Sequence, residues 1–548
     1  MVDGKDVWNQ WFQKKMGNVS IAGRELYSFP AMKENVYEML VETAEKYPEK
    51  NGLYDNWNRG YTYSRFLKIT DSLAAYLKYV HGVKKGQRVG LLLHTGIEFA
   101  SAYYALSKLG AVVVPLPTKY RKPEIRSLIG KADLSGILVS REYESWVEDY
   151  GGERFFILTE DSEEDGYGFE WIFRTEEWYK IPENAVKEHS EGRKEDEFIL
   201  MFTSGTTSQS KGVILKNYNI GHAVMVYREL LGLTPEDRTV IPVPIYHITG
   251  LSALLTLFVF IGGTVFLYRR YDAQRILEGI VEQEITFLHG SPTVFGLFLE
   301  YQKNYPCLPS VRKLACGSSY MPVSMMKKLH AWMPKMQFQN VYGMTETSSP
   351  ATVFPYDAAT SIYPGSQGLP IPGMQIRITD DDGRELEKGE AGNVWLKGAN
   401  ICEYYYNMKS DLITDDGWLD TGDIGYINEE NYVFIVDRKK DMIDRGGEKI
   451  WCTDVEEELL RLDGIKDAAV VGIPDEKYGE TAAALVVEEE GSCITEEQIK
   501  EQLKSRLARY KIPEKILKAE AVPKTPGLKT DKRAVRKMFE DKDRELGS

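Results

Sequence analysis

The chain has 548 residues, more than a single hydrophobic core usually serves, so at least two domains are expected. Hydrophobic residues make up 43% and charged residues 27% of the sequence, the balance of an ordinary soluble globular protein. The net charge of −14 argues against a nucleic-acid-binding protein, although a local basic patch could still bind a phosphorylated ligand.

The cysteines give no sign of a zinc site. They are odd in number, far apart and without a Cys-x-x-Cys pair, so we expect buried free thiols in a reducing, cytoplasmic compartment. Residues 1–11 contain acidic side chains and no apolar core, so no signal peptide is expected. The five cysteines are Cys307, Cys316, Cys402, Cys452 and Cys493.

Helical and strand patterns alternate between residues 35 and 315. Strand, helix and strand at this spacing form βαβ units, which predict a parallel sheet covered by helices on both faces. The acidic stretch 160–170 is expected to be a surface loop. The predicted helices are 35–47, 66–80, 97–109 and 273–283, and the predicted strands lie within 85–93, 111–116, 136–139, 198–201, 285–289 and 311–315.

One apolar stretch, residues 251–268, requires a test for a membrane span. Ser252, Thr256 and the pair Gly262 and Gly263 interrupt it, and its most apolar part is shorter than the roughly 20 residues that cross a bilayer. We therefore expect a buried helix, a glycine break and a buried strand, with no integral membrane segment.

A loop rich in glycine and hydroxyl residues separates two apolar runs at 197–202 and 213–215. Its hydroxyl and backbone N–H groups can donate to an anion, and Lys211 adds a mobile positive charge. The spacing is not that of a Walker A motif. The loop therefore predicts either a cradle for a phosphate chain or a polar surface hairpin. The candidate ligands are Thr203, Ser204, Gly205, Thr206, Thr207 and Lys211.

The sequence changes character at Asp437. A region rich in hairpin turns precedes this residue. A compact series of helix 453–462, strands 465–471 and 482–488, and helix 495–509 follows it. We therefore place a domain boundary there, which divides the chain into residues 1–436 and 437–548.

Four further motifs follow the loop, and each alone is weak because such turns are common. They are 244–250 with His247, 341–347 with Tyr342, Thr345 and Glu346, 417–425 with Asp423, and 523–533 with Lys529. Their joint order and spacing resemble the adenylate-forming superfamily over nearly the whole chain. The stretch 446–450 is most similar to the acyl-CoA synthetase branch of that superfamily.

The resemblance implies an α/β fold. A large N-terminal domain would combine mixed and parallel sheets sandwiched by helices with a β-rich subdomain, and a small mobile α+β C-terminal domain would follow the hinge at Asp437. It also implies an AMP-forming acid:CoA ligase, in which a carboxylic acid and ATP give acyl-AMP and pyrophosphate. The acyl group would then pass to coenzyme A.

The resemblance also implies roles for residues around the phosphates. The loop residues would hold the β- and γ-phosphates, which leave as pyrophosphate, and Thr345 would donate to the α-phosphate. Glu346 would hold Mg²⁺, which prefers carboxylate and phosphate oxygens. Lys529 would bridge the substrate carboxylate and the α-phosphate and neutralise their charge.

The nucleoside and CoA sites are implied in the same way. Asp423 would accept from both ribose hydroxyls, and Arg438 would reach the ribose and the phosphate. The small domain would rotate about Asp437 for the second step. The adenine slot would be lined by Gly317, Ser318 and Tyr342, and the CoA side would use Gly446, Gly447 and Lys449.

The implied acid pocket contains no obvious charged anchor, which favours a mainly apolar acid, aryl or medium-chain alkyl. His247 has two interpretations, since a lone histidine among apolar residues is often a core residue, whereas the resemblance makes it a gate. The pocket residues are His247, Ile248, Thr249, Gly317, Gly343, Met344, Ser349 and Pro350.

Several positions depart from the family pattern and keep alternatives open. Ser208 and Ser210 stand where glycine and proline are common, Leu528 replaces a glycine before Lys529, and Asp444 replaces a lysine. One alternative is an enzyme that adenylates an acid for a carrier protein. Another is a catalytically quiet nucleotide- or acyl-binding homologue.

Overall fold

The computed structural model describes residues 1–8, 12, 14–148, 155–159, 179–203, 210–525 and 529–547. The N-terminal elements are β1 (Val2–Asp3), α1 (Gly4–Val7), β2 (Gly17–Ile21), β3 (Arg24–Ser28), α2 (Val36–Lys46), β4 (Asn51–Tyr54), β5 (Gly60–Thr62) and α3 (Tyr63–Tyr79). Polar side chains start both long helices, because Asn35 accepts from the N–H of Glu38 and Thr62 from the N–H of Arg65.

A six-stranded sheet follows. Its strands and helices are β6 (Arg88–Leu92), α4 (Ile97–Leu109), β7 (Val112–Pro115), α5 (Lys122–Ala132), β8 (Gly136–Ser140), α6 (Glu144–Val147), β9 (Phe155–Thr159), β10 (Glu197–Phe202) and β11 (Gly212–Lys216). The strand order is β11-β10-β7-β6-β8-β9, and every pair is parallel except β10–β11. The expected βαβ units are therefore present, and α4 is buried along its whole length.

A nine-stranded sheet carries the next part of the chain. Its new elements are α7 (Asn217–Leu231), β12 (Arg238–Val240), α8 (Leu257–Ile261), β13 (Thr264–Phe266), α9 (Ala273–Glu282), β14 (Phe287–Gly290), α10 (Pro292–Glu300), β15 (Lys313–Cys316), α11 (Val323–Trp332), β16 (Gln337–Tyr342), β17 (Thr352–Val353) and β18 (Leu369–Pro370). The order is β18-β17-β16-β15-β14-β12-β13-β4-β5. The strands from β16 to β4 in this order are parallel, so their carboxyl ends share one edge.

The apolar stretch 251–268 folds as expected, with one addition. A π-helical segment, Thr249–Thr256, leads into α8, and Gly262 ends the helix with a φ of 73° before β13 begins. Among the described residues, no helix is long and apolar enough to cross a membrane.

An antiparallel sheet and a separate C-terminal unit complete the chain. The sheet, in the order β1-β19-β20-β21-β22, contains β19 (Met374–Thr379), β20 (Gly392–Gly398), β21 (Leu419–Ile427) and β22 (Val433–Arg438). The C-terminal unit contains β23 (Ile443–Arg445), β24 (Glu448–Ile450), α12 (Cys452–Leu460), β25 (Ile465–Asp475), β26 (Gly479–Glu488), α13 (Glu496–Leu503), β27 (Lys515–Lys518) and α14 (Lys532–Gly547).

Two details of the sequence analysis need correction. The helix expected to reach residue 509 ends at Leu503, where the chain tightens because the N–H groups of Arg506 and Leu507 both donate to the Leu503 carbonyl. Cys307 and Cys493 are exposed, because they lie in connecting loops, whereas the other three cysteines are buried. The expected loop at 160–170 lies outside the described residues.

The C-terminal unit has apolar clusters of its own. Its sheet packs α12 and α13 on one face and α14 on the other, and the buried residues of both clusters lie between positions 443 and 539. Such a unit can change its orientation without disturbing the larger cores. The boundary at Asp437 and its role as a hinge remain predictions.

Candidate active site

Asp423 is the buried centre of a polar cluster. Its side chain is 2% exposed; one carboxylate oxygen accepts from the Tyr342 hydroxyl at 2.6 Å and the other lies 2.7 Å from the Arg438 Nε. Asp423 and Arg438 face each other across β21 and β22, so strand register positions the pair. Burial raises the pKa of Asp423, while Arg438 and Tyr342 oppose that rise. The carboxylate is thus preassembled beside the end of β16.

The loop between β16 and β17 has a tightly constrained backbone. Thr345 to Thr347 form a 3₁₀ turn, and Ser348 and Ser349 adopt left-handed conformations with φ of 55° and 108°. The side-chain amide of Asn400 holds the loop by donating to the carbonyls of Thr347 and Pro350, each at 2.6 Å. Strained backbone held in this way is typical of functional sites.

The side chain of Glu346 extends from this loop and contacts Tyr405. The Tyr405 hydroxyl donates to its Oε1 at 3.1 Å, and the Nζ of Lys211 lies over the Tyr405 ring, 5.4 Å from the centroid. Lys211 and Glu346 therefore contact the same tyrosine, Lys211 at the ring face and Glu346 at the hydroxyl. The strands that frame the predicted phosphate loop, β10 and β11, pair as expected, and the N–H of Thr203 donates to the Lys211 carbonyl at 3.0 Å. Ser204, Gly205, Thr206, Thr207 and Ser208 lie outside the described residues.

The predicted adenine slot begins at the end of β15. A side chain at Gly317 would place its Cβ 2.8 Å from the Val341 carbonyl oxygen, so only glycine fits there. Ser318 follows with a φ of 72°. The two residues adjoin β16, which ends at Tyr342, so the three predicted members of the slot share one sheet edge.

Lys529 reaches this cleft from the C-terminal unit. A short hairpin carries it, because the N–H of Thr525 donates to the Lys529 carbonyl at 2.7 Å. The pKa of Lys529 is lowered to about 8, first by desolvation and then by the charge of Arg438, against the opposing charges of Asp423 and Glu346. The residue is still accessible to solvent. The charges of Asp423 and Glu346, which are distant in sequence, thus affect the pKa of Lys529.

His247 lies near the same lysine. Its pKa is lowered to about 3, first by burial and then by the charges of Lys529 and Lys119. Its Nε2 is buried and has no hydrogen-bond partner among the described residues. Ile248 is buried and Thr249 starts the π-helical segment. His247 is thus a buried, neutral imidazole with an unpartnered nitrogen, and its role as a gate remains a prediction.

Two buried polar residues that the sequence analysis missed, Tyr227 and His289, lie beside predicted residues of the acid pocket. Tyr227 on α7 is fully buried, and its hydroxyl lies 2.9 Å from the Ser349 Oγ. His289, near the end of β14, is 1% exposed and packs edge-on against the Tyr227 ring at 6.0 Å. A histidine just before Gly290 and Ser291 at the carboxyl end of a buried strand was the available signal, since ligands gather at that edge of a parallel sheet.

The predicted CoA-side residues lie apart from this cluster. Gly446 and Gly447 form the exposed turn between β23 and β24, with φ of 63° and 93°. Asp444 accepts from the N–H of Gly447 at 2.7 Å, so the departure at this position has a local role in the turn. Lys449 faces Asp444 across the hairpin.

A cavity of about 670 Å³ lies next to the Lys529 hairpin. Cations and aromatic rings dominate its wall, and only one carboxylate contributes. The lining residues are Thr118, Lys119, Tyr120, Arg121, Glu142, Tyr143, Trp146, Arg270, Lys524 and Thr525. The positively charged side chains suit an anionic ligand, and the aromatic rings suit a ligand with a planar group.

Comparison with known proteins identifies the family. Residues 40–406 match the model of the AMP-binding enzyme family, and residues 454–529 match that of the AMP-binding enzyme C-terminal domain. The chain is 29% identical over 483 residues to the long-chain-fatty-acid–CoA ligase FadD13 of Mycobacterium tuberculosis, an alignment that covers 87% of this chain and 93% of that protein. It is 30% identical over 476 residues to a 2-succinylbenzoate–CoA ligase of Bacillus cereus (strain Q1), covering 84% and 90%.

A solved structure supports the same family assignment. The o-succinylbenzoate CoA synthetase (MenE) from Bacillus subtilis, in complex with the acyl-adenylate intermediate OSB-AMP, is 27% identical and has a TM-score of 0.78. The match covers 92% of this chain and 98% of that one. The expected fold class, ATP dependence and two-step chemistry are thereby confirmed. The chain belongs to the AMP-binding enzyme family, in the CoA ligase branch of the adenylate-forming superfamily, and is an AMP-forming acid:CoA ligase.

Proposed function

We propose that the cleft between the carboxyl edge of the nine-stranded sheet and the Lys529 hairpin is the adenylation centre of this ligase. One observation carries the proposal: the buried carboxylate of Asp423 contacts the Tyr342 hydroxyl at 2.6 Å and the Arg438 Nε at 2.7 Å, although Tyr342 is distant from the other two in sequence. The charges of Arg438, Asp423 and Glu346 also affect the pKa of Lys529. Holding several charges around one point is what a reaction between two anions requires.

The first step joins a carboxylate to ATP. A carboxylate oxygen attacks the α-phosphorus, the bond from that phosphorus to the bridging oxygen breaks, and pyrophosphate leaves. The nucleophile is already an anion, so positioning and charge neutralisation matter more than a general base. Lys529 would contact both anions, and their charge would raise its pKa again, which keeps the ammonium protonated.

We infer the remaining nucleotide contacts from the geometry around Asp423 and from the resemblance to the family. Asp423, fixed by Tyr342 and Arg438, would accept from the ribose hydroxyls, and Gly317 with Ser318 would line the adenine slot. Thr345 would donate to the α-phosphate. The leaving pyrophosphate would lie against Thr203, Lys211 and the predicted ligands Ser204, Gly205, Thr206 and Thr207.

Glu346 fits the expected magnesium ion. Mg²⁺ is commonly held by one or two carboxylates together with substrate phosphates, and Glu346 is a carboxylate oriented by Tyr405 on the side where Lys211 lies. The ion, when bound, would neutralise phosphate charge. Glu346 would therefore hold the metal ion, and its negative charge also raises the pKa of Lys529 against the effect of desolvation.

The second step needs room for the thiol of CoA. We infer that residues 437–548 turn about Asp437 between the steps, which withdraws Lys529 and presents Gly446, Gly447 and Lys449. Lys119, Arg121 and Arg270 belong to the N-terminal part and would stay in place, so the cavity they line is a candidate for the phosphates of CoA.

The substrate would be a mainly apolar carboxylic acid. Ile248, Gly343, Met344 and Pro350 supply an apolar lining, and Thr249 and Ser349 supply neutral hydroxyls. The acidic net charge disfavours nucleic acid as a partner. ATP and CoA are abundant in the cytoplasm, which is where we place the enzyme.

The test is to separate the two steps with Lys529→Ala. Acid-dependent pyrophosphate release should fall about 10²- to 10³-fold, the effect of removing one charge-stabilising group. Thioester formation from supplied acyl-AMP and CoA should remain. Lys518→Ala is the matched control, because Lys518 pairs with Glu488 on an exposed edge of the small domain. Equal loss of both steps in the Lys529 variant would contradict its assignment.

A further inference from the structure

The polar wall formed by Tyr227, His289 and Ser349 is unusual for an apolar pocket. The three residues come from α7, β14 and the loop after β16, and each is at least nine-tenths buried. A polar group that is buried without a hydrogen bond destabilises the native state, so buried polar atoms are normally hydrogen-bonded. The Nδ1 of His289 has no partner among the described residues.

The wall belongs to the acid pocket rather than to the general core. A Cβ built at Gly317 would lie 3.8 Å from the His289 Nε2, so the imidazole borders a predicted pocket residue. Ser349 is also a predicted pocket residue. Its carbonyl oxygen would lie 1.7 Å from a Cβ built at Gly343, which is a third predicted pocket residue. His289 therefore stands at the carboxyl edge of the parallel strands, where α/β proteins bind their ligands.

We expect the reacting carboxylate at Lys529, where the proposed function places it. Burial lowers the pKa of His289 to about 3, so its imidazole is neutral. A group of the acid that meets this imidazole would therefore belong to the body of the acid and not to its reacting carboxylate.

All three side chains of the wall are uncharged. Protonation of His289 is disfavoured by burial, and burial also raises the pKa of the Tyr227 hydroxyl. In the Tyr227–Ser349 pair one hydroxyl donates to the other, so one proton and several lone pairs remain available. Neither a lysine nor an arginine is among these three residues, so nothing in the wall compensates a second carboxylate.

We propose that this ligase selects a monocarboxylic acid whose largely apolar body carries a neutral hydrogen-bonding group, such as a hydroxyl or a carbonyl, held by His289 and the Tyr227–Ser349 pair. The inference rests on the proposed function, because it assigns a further part of the same pocket. A pocket built to hydrogen-bond a substituent discriminates strongly against acids that lack it, since its own polar groups are then left unpaired.

Matched acids test the proposal by acid-dependent pyrophosphate release. The pairs are 3-phenylpropanoate with 3-(4-hydroxyphenyl)propanoate, and each straight-chain acid from butanoate to decanoate with its terminal hydroxy and penultimate oxo derivatives. The best polar acid should exceed its unsubstituted partner at least about tenfold in kcat/KM. The corresponding dicarboxylates should be poor substrates.

Variants show whether the wall causes the preference. His289→Phe keeps a ring and removes both nitrogens, and Tyr227→Phe removes one hydroxyl. Each should lower the ratio of kcat/KM between polar and unsubstituted acids about tenfold, mostly by slowing the polar acid, and His289→Gln should restore part of it. Tyr103→Phe is the control, since it also removes a fully buried hydroxyl paired with another hydroxyl, that of Thr256.

The outcomes separate the inference from the function. If unsubstituted acids match or exceed their polar partners in every pair, or if a dicarboxylate is the best substrate, the inference is wrong and the ligase assignment stands. The same holds if the ratio is unchanged in His289→Phe and Tyr227→Phe. If no acid raises pyrophosphate release above background, the proposed function itself fails.

Discussion

At the scale of single residues, Gly343 decides the shape of the loop that carries Thr345 and Glu346. A Cβ at this position would lie 1.7 Å from the Ser349 carbonyl oxygen, so the loop must move if any side chain is added. We expect Gly343→Ala to lower pyrophosphate release at least about tenfold, because displacement of catalytic groups by an ångström is enough for such a loss. Circular dichroism should show a folded protein.

Gly130→Ala is the matched control for this prediction. Gly130 lies in α5, and a Cβ built there would meet nothing within 4 Å. Alanine is the better helix former by up to about 1 kcal/mol, so the control should keep its activity and unfold at the same or a higher temperature. Wild-type activity in Gly343→Ala would show that the loop adapts and does not position the catalytic groups.

Residue types in the sequence led us to expect the charged groups of the candidate site and Ser349, but not Tyr227 or His289. Glu346, Asp423 and Lys529 stand in short motifs whose spacing resembles a known family, so their grouping could be expected before the structure. Tyr227 and His289 carry no such spacing. Tyr227 contacts both Ser349 and His289 only because tertiary packing brings α7 beside the end of β14.

At the scale of elements, β22 connects the two units through Asp437. Its carboxylate accepts from the N–H of Arg438 at 2.7 Å and from the N–H of Cys452, the first residue of α12, at 2.6 Å. The Nζ of Lys532, at the start of α14, lies 4.0 Å away. The sequence predicts a boundary here, because the turn-rich pattern ends, but it could not show that Asp437 contacts the first residues of two C-terminal helices.

A second contact between the units is open to a direct test. The Tyr320 hydroxyl, in the loop after β15, donates to the Glu457 Oε2 on α12 at 2.7 Å. Tyr320→Phe removes one hydrogen bond, worth about 1 kcal/mol, from the arrangement that brings Lys529 to the cleft. Acid-dependent pyrophosphate release should therefore fall up to about fivefold, whereas thioester formation from acyl-AMP should not fall.

The control for that prediction stays within one unit. The Tyr305 hydroxyl lies 3.5 Å from the Glu278 Oε1, and both residues belong to the N-terminal part, so Tyr305→Phe should leave both steps unchanged. If Tyr320→Phe slowed the two steps equally, the contact would stabilise the protein in general rather than one orientation of the small domain.

At the scale of the whole molecule, buried histidines and buried aspartates change the free energy of unfolding with pH in opposite directions. Burial lowers the pKa of His222, His247 and His289 far below the usual 6.5, which destabilises the native state as acid protonates the unfolded chain. Burial also raises the pKa of Asp423 and Asp437, which acts in the other direction. The contribution of one histidine to the free energy of unfolding must therefore be measured as the difference between the wild type and a variant that lacks this histidine.

His222 is suited to that measurement because it lies outside the catalytic cleft. It is fully buried, its Nδ1 lies 2.9 Å from the Ser28 hydroxyl, and its Nε2 lies 3.0 Å from the Pro372 carbonyl oxygen. A carbonyl only accepts, so Nε2 carries the proton and Nδ1 accepts from Ser28. Glutamine also offers one donor and one acceptor, so His222→Gln can keep both bonds without titrating.

The predicted outcome follows from the sign of the shift. The pKa of His222 is lowered to about 4 by burial, so between pH 6.5 and 4 the unfolded chain binds a proton that the native state does not. The free energy of unfolding of the wild type should therefore fall relative to His222→Gln by up to about 1.4 kcal/mol per pH unit within that range. Above pH 7 the difference should be constant. Urea unfolding at pH 7.5, 6 and 5 measures it, and a difference that does not change with pH would show that His222 titrates alike in the folded and unfolded states.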